Sequence, residues 1–145
     1  MKRFPKVFIS VFAIAFTLVS CNKDNPLATD PVTGNWILDN IVIMLPKTDP
    51  QIIDVNGDCT NKNYFDLNSG GIFNKADIDP ATCELTLSDG KWKITNNSLE
   101  ITSDGETITF NITSVTASKL VLKVTDLGSD FPAGSYAVLN FTKNK

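Results

Sequence analysis

The side chains of this sequence that could carry out chemistry are few, because its 145 residues include no histidine and three cysteines. Histidine is the usual general base, and a serine or cysteine beside such a base is the usual nucleophile. The sequence also lacks a GxSxG elbow, a phosphate-binding loop and a metal-binding triad. A pair among the 16 acidic residues could still act as acid and base, but nothing in the sequence pairs them. We therefore predict that the protein is not an enzyme and needs no cofactor.

One acidic loop, residues 54–58 (Asp-Val-Asn-Gly-Asp), places carboxylate or amide oxygens at alternate positions, as calcium-binding loops do. The EF-hand pattern then fails, because its glycine belongs where Cys59 stands and its closing acid would fall on Phe65. A solvated turn is the favoured interpretation, and no metal site is predicted. The residues that remain as weak calcium candidates are Asp54, Asn56 and Asp58.

The first cysteine follows a segment that is typical of exported proteins. Three basic residues within positions 2–6 precede an uncharged apolar run, residues 7–19, which is too short for a permanent membrane anchor. Residues 18–21 (Leu-Val-Ser-Cys) look like a lipobox, where bacterial lipoproteins are acylated on the cysteine and cleaved just before it. We expect residues 1–20 to be a signal peptide and Cys21 to carry the lipid. The alternative is an ordinary secretory signal that leaves Cys21 as a free thiol.

The charge of the mature chain limits its partners. Removal of residues 1–20 takes away three basic residues and no acidic one, so the formal net charge changes from −3 to −6. No basic patch with interleaved aromatic residues is present, which excludes nucleic acid as an expected partner. Contact with a membrane should therefore come from the lipid on Cys21, because several acyl chains anchor a protein stably. We expect an outer-membrane location, with the periplasmic and cell-surface faces both open.

Export to an oxidising compartment also bears on the other two cysteines. With Cys21 acylated, Cys59 and Cys83 are the remaining thiols, and we predict a disulfide between them. Their spacing fits neither a CxxC redox motif nor a zinc site. The alternative is a pair of free or buried thiols.

The organisation of the chain is that of a tether followed by a β domain. Residues 21–33 form a polar segment with two prolines behind the lipidated cysteine, which is typical of a flexible linker. From Gly34 onward, eight short β-prone runs alternate with turn residues. Residues 45–60 look like a long loop, and residues 77–89 look irregular, with a short extended piece at 84–87 as the alternative for part of that segment. We predict an all-β fold, a single antiparallel up-and-down eight-stranded barrel over residues 34–145, with a two-sheet β-sandwich as the alternative.

Several motifs in the mature chain carry a family resemblance. They are Gly34-Asn35-Trp36, the Cys59 to Cys83 bracket around Tyr64-Phe65 and Gly71-Ile72-Phe73, and Gly90-Lys91-Trp92-Lys93-Ile94 followed by residues 97–101. Together with the lipobox, they make the sequence similar to the lipocalin-like lipoproteins of the Bacteroidota. The resemblance implies an eight-stranded barrel with Trp36 packed at its closed end, covered by a late basic residue, either Lys143 or Lys123. The chain is short for a lipocalin and lacks the Thr-Asp-Tyr motif, so a roomy ligand cavity is not implied.

Two functions from different classes remain open at this stage. The first is binding of a small apolar or amphipathic ligand inside the barrel. Its pocket candidates, which could equally fill the core, are Trp36, Phe65, Phe73, Trp92, Phe110 and Phe141. The second is an envelope interaction protein, such as an accessory subunit or enzyme inhibitor, with a filled barrel that works through its loops. The candidate segments are residues 45–60 and the 128–134 loop, in which Phe131 is expected to be exposed.

Overall fold

The structure, a computed structural model, describes residues 29–145. One helical turn, α1 (Thr29–Val32), precedes nine antiparallel strands. The strands are β1 Gly34–Met44, β2 Gln51–Ile53, β3 Tyr64–Asn68, β4 Ile72–Ile78, β5 Leu85–Thr95, β6 Ser98–Ser103, β7 Glu106–Val115, β8 Lys119–Val124 and β9 Tyr136–Lys143. In this part of the chain no helix has the length and apolar character that crossing a membrane requires. The predicted signal peptide, Cys21 and most of the tether lie outside the described residues.

Strand β1 closes the sheet into a barrel. Its first residues, 34–37, pair with β3, while almost its whole length pairs with β9, the last strand. A bulge at Asp39, between Leu38 and Asn40, bends β1 so that residues 41–43 pair with the short strand β2 instead of β3. Eight strands, β1 and β3 to β9, therefore form a closed antiparallel barrel, and β2 is an addition to its rim. The predicted barrel is confirmed, and the sandwich alternative is wrong.

The strand order places the connections at two opposite ends. The closed end holds α1 and the turns 69–71, 96–97 and 116–118, whereas the open end holds the connections 45–63, 79–84, 104–105 and 125–135. The turns are tight where the sequence predicts it. Asn96 adopts a φ of 56° between β5 and β6, and Asp104 and Gly105 adopt φ values of 54° and 82° between β6 and β7. Positive φ at such positions matches the twist of a two-residue hairpin.

Alternation along the strands builds the core. In β7, Phe110 and Ile112 face the lumen and are buried, as the period-2 pattern predicts. The buried apolar residues form one cluster that also includes the inward residues of β6, β8 and β9. Val32 of α1 is fully buried in the same cluster, so the helical turn covers the closed end.

The prediction that residues 77–89 are irregular is correct for the turn 79–84 and wrong for the residues on either side of it, where β4 ends and β5 begins. Strand β4 extends to Ile78 and pairs residue by residue with β5, from Ile72 opposite Lys91 to Ile78 opposite Leu85. The first residues of β5 are exposed on both faces because they stand at the open rim, so their sequence shows no apolar alternation. Backbone pairing with β4, rather than burial of side chains, holds this segment in the sheet.

Candidate functional site

A pocket of about 140 Å³ lies inside the barrel near its open end. Strands β3, β4, β6 and β7 build it, because their inward residues stand opposite one another: Phe65 faces Lys75, and Ile101 faces Ile108. Strand β5 places Gly90 at this level, between β4 and β6, and therefore adds no side chain to the lumen. The lining residues are Phe65, Phe73, Lys75, Ile101, Ser103, Asp104, Glu106, Ile108 and Phe110.

The floor and walls of the pocket are mainly apolar. Phe65 is the central ring, with its centroid 5.2 Å from that of Phe73, 6.2 Å from that of Phe110 and 5.0 Å from that of Phe141. Ile108 faces the lumen, yet 48% of it remains exposed, because none of the described connections at the open end covers it. The wall of the pocket therefore includes an apolar side chain that solvent can reach.

The six aromatic residues proposed from the sequence divide into two groups. Phe65, Phe73 and Phe110 line the pocket, whereas Trp36, Trp92 and Phe141 lie below it; all of the six except Phe65 are buried. The indole of Trp92 donates a hydrogen bond to the carbonyl oxygen of Asn68 at 2.9 Å, which fixes it at the closed half of the barrel. The barrel is therefore filled in its lower half and open in its upper half.

The size of the pocket limits what it can hold. Drug-sized ligands occupy sites of roughly 300–1,000 Å³, whereas an apolar cavity of about 150 Å³ accepts a molecule such as benzene. The pocket therefore has room for one ring or a short alkyl chain, with any polar group at the rim. A larger depression of about 460 Å³, between Tyr64 and Leu87, lies on the outside of the barrel and is shallower.

The rim of the pocket is polar and carries charges of both signs. The ammonium of Lys75 lies 2.7 Å from a carboxylate oxygen of Asp77, two residues further along the same face of β4. Ser103, Asp104 and Glu106 form the opposite rim at the β6–β7 turn. The hydroxyl of Ser103 donates a hydrogen bond to the carbonyl oxygen of Asp89 at 2.7 Å, and its oxygen lies 3.3 Å from a carboxylate oxygen of Asp104, a second acceptor for the same proton.

The closed end is held by a tryptophan and a lysine. The indole N–H of Trp36 donates to the carbonyl oxygen of Val32 at 2.6 Å, and the ammonium of Lys143 lies 5.0 Å from the centroid of the Trp36 ring. The same ammonium donates to the carbonyl oxygen of Thr33 at 3.0 Å. Lys123, the other residue considered for this role, instead lies 3.9 Å over the ring of Tyr136. Lys143 is thus the residue that covers Trp36.

The predicted disulfide is present. Cys59 and Cys83 are joined with an S–S distance of 2.02 Å, and the bond links the β1–β3 connection to the β4–β5 turn at the open end. In that turn the pKa of Asp79 is lowered, because its carboxylate accepts hydrogen bonds from the backbone N–H of Ala81 at 2.8 Å and of Thr82 at 3.1 Å. The turn is therefore stabilised by a charged cap as well as by the covalent bond.

The acidic loop 54–58 has a structural arrangement of its own. One carboxylate oxygen of Asp54 accepts hydrogen bonds from the backbone N–H of Asn56 at 3.0 Å and of Gly57 at 3.2 Å, which makes a local turn. The Asn56 side chain is buried rather than open to an ion, and Asp58 is exposed. Within residues 29–145, no group of three or more acidic or cysteine side chains is placed to hold a metal ion.

Two buried asparagines, Asn56 and Asn63, bond to backbone groups beyond the end of the β1–β3 pairing, and the sequence did not predict them as a pair. The Asn56 amide donates to the carbonyl oxygen of Leu38 at 2.7 Å and accepts from the backbone N–H of Asn63 at 2.7 Å. The Asn63 side chain in turn donates to the carbonyl oxygen of Val55 at 2.5 Å and accepts from the N–H of Ile78 at 2.8 Å. These amides satisfy backbone groups of β1, of β4 and of the connection before β3, at the end of the barrel where β3 has not yet begun.

The open end also exposes apolar side chains outside the pocket. Phe131, the candidate interaction residue of the β8–β9 connection, is 37% exposed, and Ile52 of β2 is 74% exposed. The two residues belong to different connections at the same end of the barrel. Cys21, the predicted lipidation site, lies outside the described residues.

Comparison with known proteins supports the fold. A family model described as a lipocalin-like domain matches residues 32–122. A lipocalin-like protein from Bacteroides uniformis superposes with a TM-score of 0.53 at 14% identity, over 79% of this chain and 99% of that one. An uncharacterised protein from Bacteroides eggerthii gives a TM-score of 0.50 at 15% identity, over 77% and 98% of the two chains. No curated protein matches the sequence.

Proposed function

The chain belongs to the lipocalin-like domain family, and from this premise we propose that it binds a small apolar or amphipathic molecule at the mouth of its barrel. The observation that carries the proposal is the inward-facing apolar pocket with Ile108 half-exposed in its wall. Because side chains fill the lower half of the barrel, the pocket has space only for a small ligand. The proposed role is binding without catalysis, because the pocket presents neither a histidine nor a free cysteine.

The proposal is tested with a neutral probe and a matched pair of variants. 2-Phenylethanol, one ring with a short polar tail, is titrated into isotopically labelled protein while the amide NMR signals are followed. We expect saturable shifts concentrated on residues 101–110. Ile108→Trp should fill the pocket and remove these shifts. Ile72→Trp, a change at an exposed isoleucine on the outer face of β4, should leave them unchanged.

Two results would contradict binding in the pocket. Equal binding of the probe by Ile108→Trp and Ile72→Trp, or shifts centred on the outer depression beside Leu87, would show that the probe does not enter the barrel. Thermal unfolding of both variants serves as the folding control, because tryptophan is well tolerated in half-exposed strand positions.

The cellular part of the proposal is a lipid-anchored lipoprotein of the outer membrane. Its support is the sequence of residues 1–21, with the lipobox at 18–21. Cys21→Ser should abolish incorporation of a fatty-acid label and move the protein from the membrane fraction to the soluble fraction. A variant that still fractionates with membranes, and shows no difference from the parent in labelling, would refute lipidation at this cysteine.

A second candidate function is that of an interaction protein of the cell envelope. It is favoured by the exposed apolar side chains of Phe131 and Ile52 at the open end. Phe131→Ala should then weaken recovery of a co-purifying envelope protein, while Ala133→Ser in the same exposed connection serves as the control. If Phe131→Ala recovered the envelope protein as well as the parent does, the loop that carries Phe131 would not be the binding surface.

A further inference from the structure

The charges at the pocket rim are unbalanced. Lys75 is the one basic residue among those that line the pocket, and Asp77 already pairs with it at 2.7 Å. The two acidic residues of the lining, Asp104 and Glu106, have no basic partner among the described residues. A ligand that reaches the rim therefore meets two uncompensated carboxylates.

The connections around the open end of the barrel, which form its mouth, also carry a net negative charge. The four connections at the open end, 45–63, 79–84, 104–105 and 125–135, contain eight acidic residues and two lysines. The three turns between strands at the closed end, 69–71, 96–97 and 116–118, contain no charged residue. Charge of one sign around a concave, low-dielectric site concentrates ions of the opposite sign there. The field at the mouth therefore attracts cations and repels anions.

The floor of the pocket suits the apolar part of an organic cation. Phe65, Phe73 and Phe110 present aromatic rings to the space below the rim. Contact with these rings removes apolar surface of the ligand from water, so the apolar part lies on the floor and a charged group stays at the rim. A fatty-acid carboxylate in the same position would face Asp104 and Glu106, while the nearest cation of the lining is already engaged by Asp77.

From these three observations we propose that the ligand of the mouth pocket is a small organic cation, an aryl- or alkyl-ammonium compound, rather than a fatty acid or another anion. The inference rests on the proposed function, since it concerns the same pocket. The apolar part, one ring or a short chain, occupies the space beside Ile108 and the phenylalanines. The ammonium group lies at the rim, where Glu106 and Asp104 are within reach of it.

The test compares three probes that share one body and differ in charge. These are 2-phenylethylammonium, 2-phenylethanol and 3-phenylpropionate, each titrated by NMR at low ionic strength. We expect the ammonium to bind about 3- to 10-fold more tightly than the alcohol, as expected for one partly exposed ion pair, and the carboxylate to bind most weakly. The preference should shrink when the salt concentration is raised.

Variants show whether the pocket itself makes the distinction. Glu106→Gln should reduce the affinity for the ammonium severalfold and leave that for the alcohol unchanged. Glu84→Gln removes an acidic side chain at the same end of the barrel but outside the pocket lining. It should change the affinity for the ammonium much less than Glu106→Gln does, and leave the affinity for the alcohol unchanged. Ile108→Trp should remove binding of the ammonium, and ammonium binding that persists in it would mean attraction to the acidic surface alone, against the inference.

The outcomes separate this inference from the proposed function. If the alcohol or the carboxylate binds in the pocket as tightly as the ammonium, the inference is overturned and binding at the mouth stands. If none of the three probes produces saturable shifts on residues 101–110, both are overturned. Tightest binding by the carboxylate, lost in Lys75→Gln, would identify an anion site instead.

Discussion

The ammonium of Lys143 lies 5.0 Å from the ring of Trp36, and this contact joins the last strand of the barrel to the first. The register explains it, because Trp36 stands directly opposite Lys143 in the β1–β9 pairing. Gly34 leaves room for the lysine stem: a Cβ there would lie 2.6 Å from the Cε atom of Lys143. The pair therefore closes both the sheet and the end of the barrel.

Removal of this lysine should destabilise the protein. We expect Lys143→Ala to lower the free energy of unfolding by about 1–2 kcal/mol, through loss of the cation–π contact and of the hydrogen bond to Thr33. Urea unfolding followed by tryptophan fluorescence measures the change. Lys145→Ala, at an exposed position two residues later, should stay within about 0.5 kcal/mol of the parent. Equal effects of the two substitutions would contradict the assigned role of Lys143.

The buried amide of Asn63 provides a second prediction. Asn63→Ala leaves the N–H of Ile78 and the carbonyl oxygen of Val55 without their partners, so we expect a loss of about 3 kcal/mol in the free energy of unfolding. Asn61→Ala, at an exposed position of the same connection, is the matched control and should be nearly neutral. Hydrogen exchange of the Ile78 amide should accelerate in the first variant only. An unchanged rate there would argue against the bridging role.

The disulfide should contribute about as much to the free energy of unfolding as the Asn63 side chain does. Replacing both Cys59 and Cys83 with Ser should lower the free energy of unfolding by roughly 3 kcal/mol, because the bond joins positions separated by 24 in the sequence and so closes a loop in the unfolded chain. Protein produced without residues 1–21 suits this measurement, since it lacks Cys21. A reductant should destabilise the parent by the same amount and leave the double variant unaffected. Sensitivity of the double variant to reductant would point to another cause.

Asp79 gives a prediction about pH. A carboxyl group whose pKa is lowered in the folded state binds its proton less readily there than in the unfolded chain. Its contribution to stability is therefore complete above about pH 4, the ordinary range for Asp, and is lost as the pH falls through the lowered value. The difference in urea midpoint between the parent and Asp79→Asn should shrink in that acidic range. Asp130→Asn controls for the loss of one charge at the same end, and parallel pH curves for the two variants would refute the prediction.

The sequence predicts the parts of this fold that depend on local pattern. Alternation in β7 assigns Phe110 and Ile112 to the interior, and the positive φ of Asn96 follows from the tolerance of asparagine for that conformation. The pairing of Cys59 with Cys83 is predicted by the export-signal pattern of the first residues together with the presence of only one other cysteine, Cys21, in the sequence. Each of these inferences needs only neighbouring residues or a simple count.

Features that depend on register were not predictable in the same way. The choice of Lys143 over Lys123 requires the β1–β9 alignment, in which a single bulge at Asp39 shifts the partners that follow. The division of the six aromatic residues between core and pocket requires the depth of each residue along the barrel. Asn56 belongs to a polar loop in sequence, and its burial follows only from the gap that β1 leaves beside β3.

Both the first and the last described residues of the chain lie at the closed end, where Trp36 and Lys143 meet, and the mouth lies at the other end. A sensor chip or bead attached at residue 29 or at residue 145 therefore holds the protein by the end of the barrel opposite the mouth. Immobilised in this way, the barrel presents its pocket to the flowing solution, so weak, fast-exchanging compounds can be screened without the support blocking their path. Attachment through the 125–135 connection, at the open end, would instead turn the pocket towards the support.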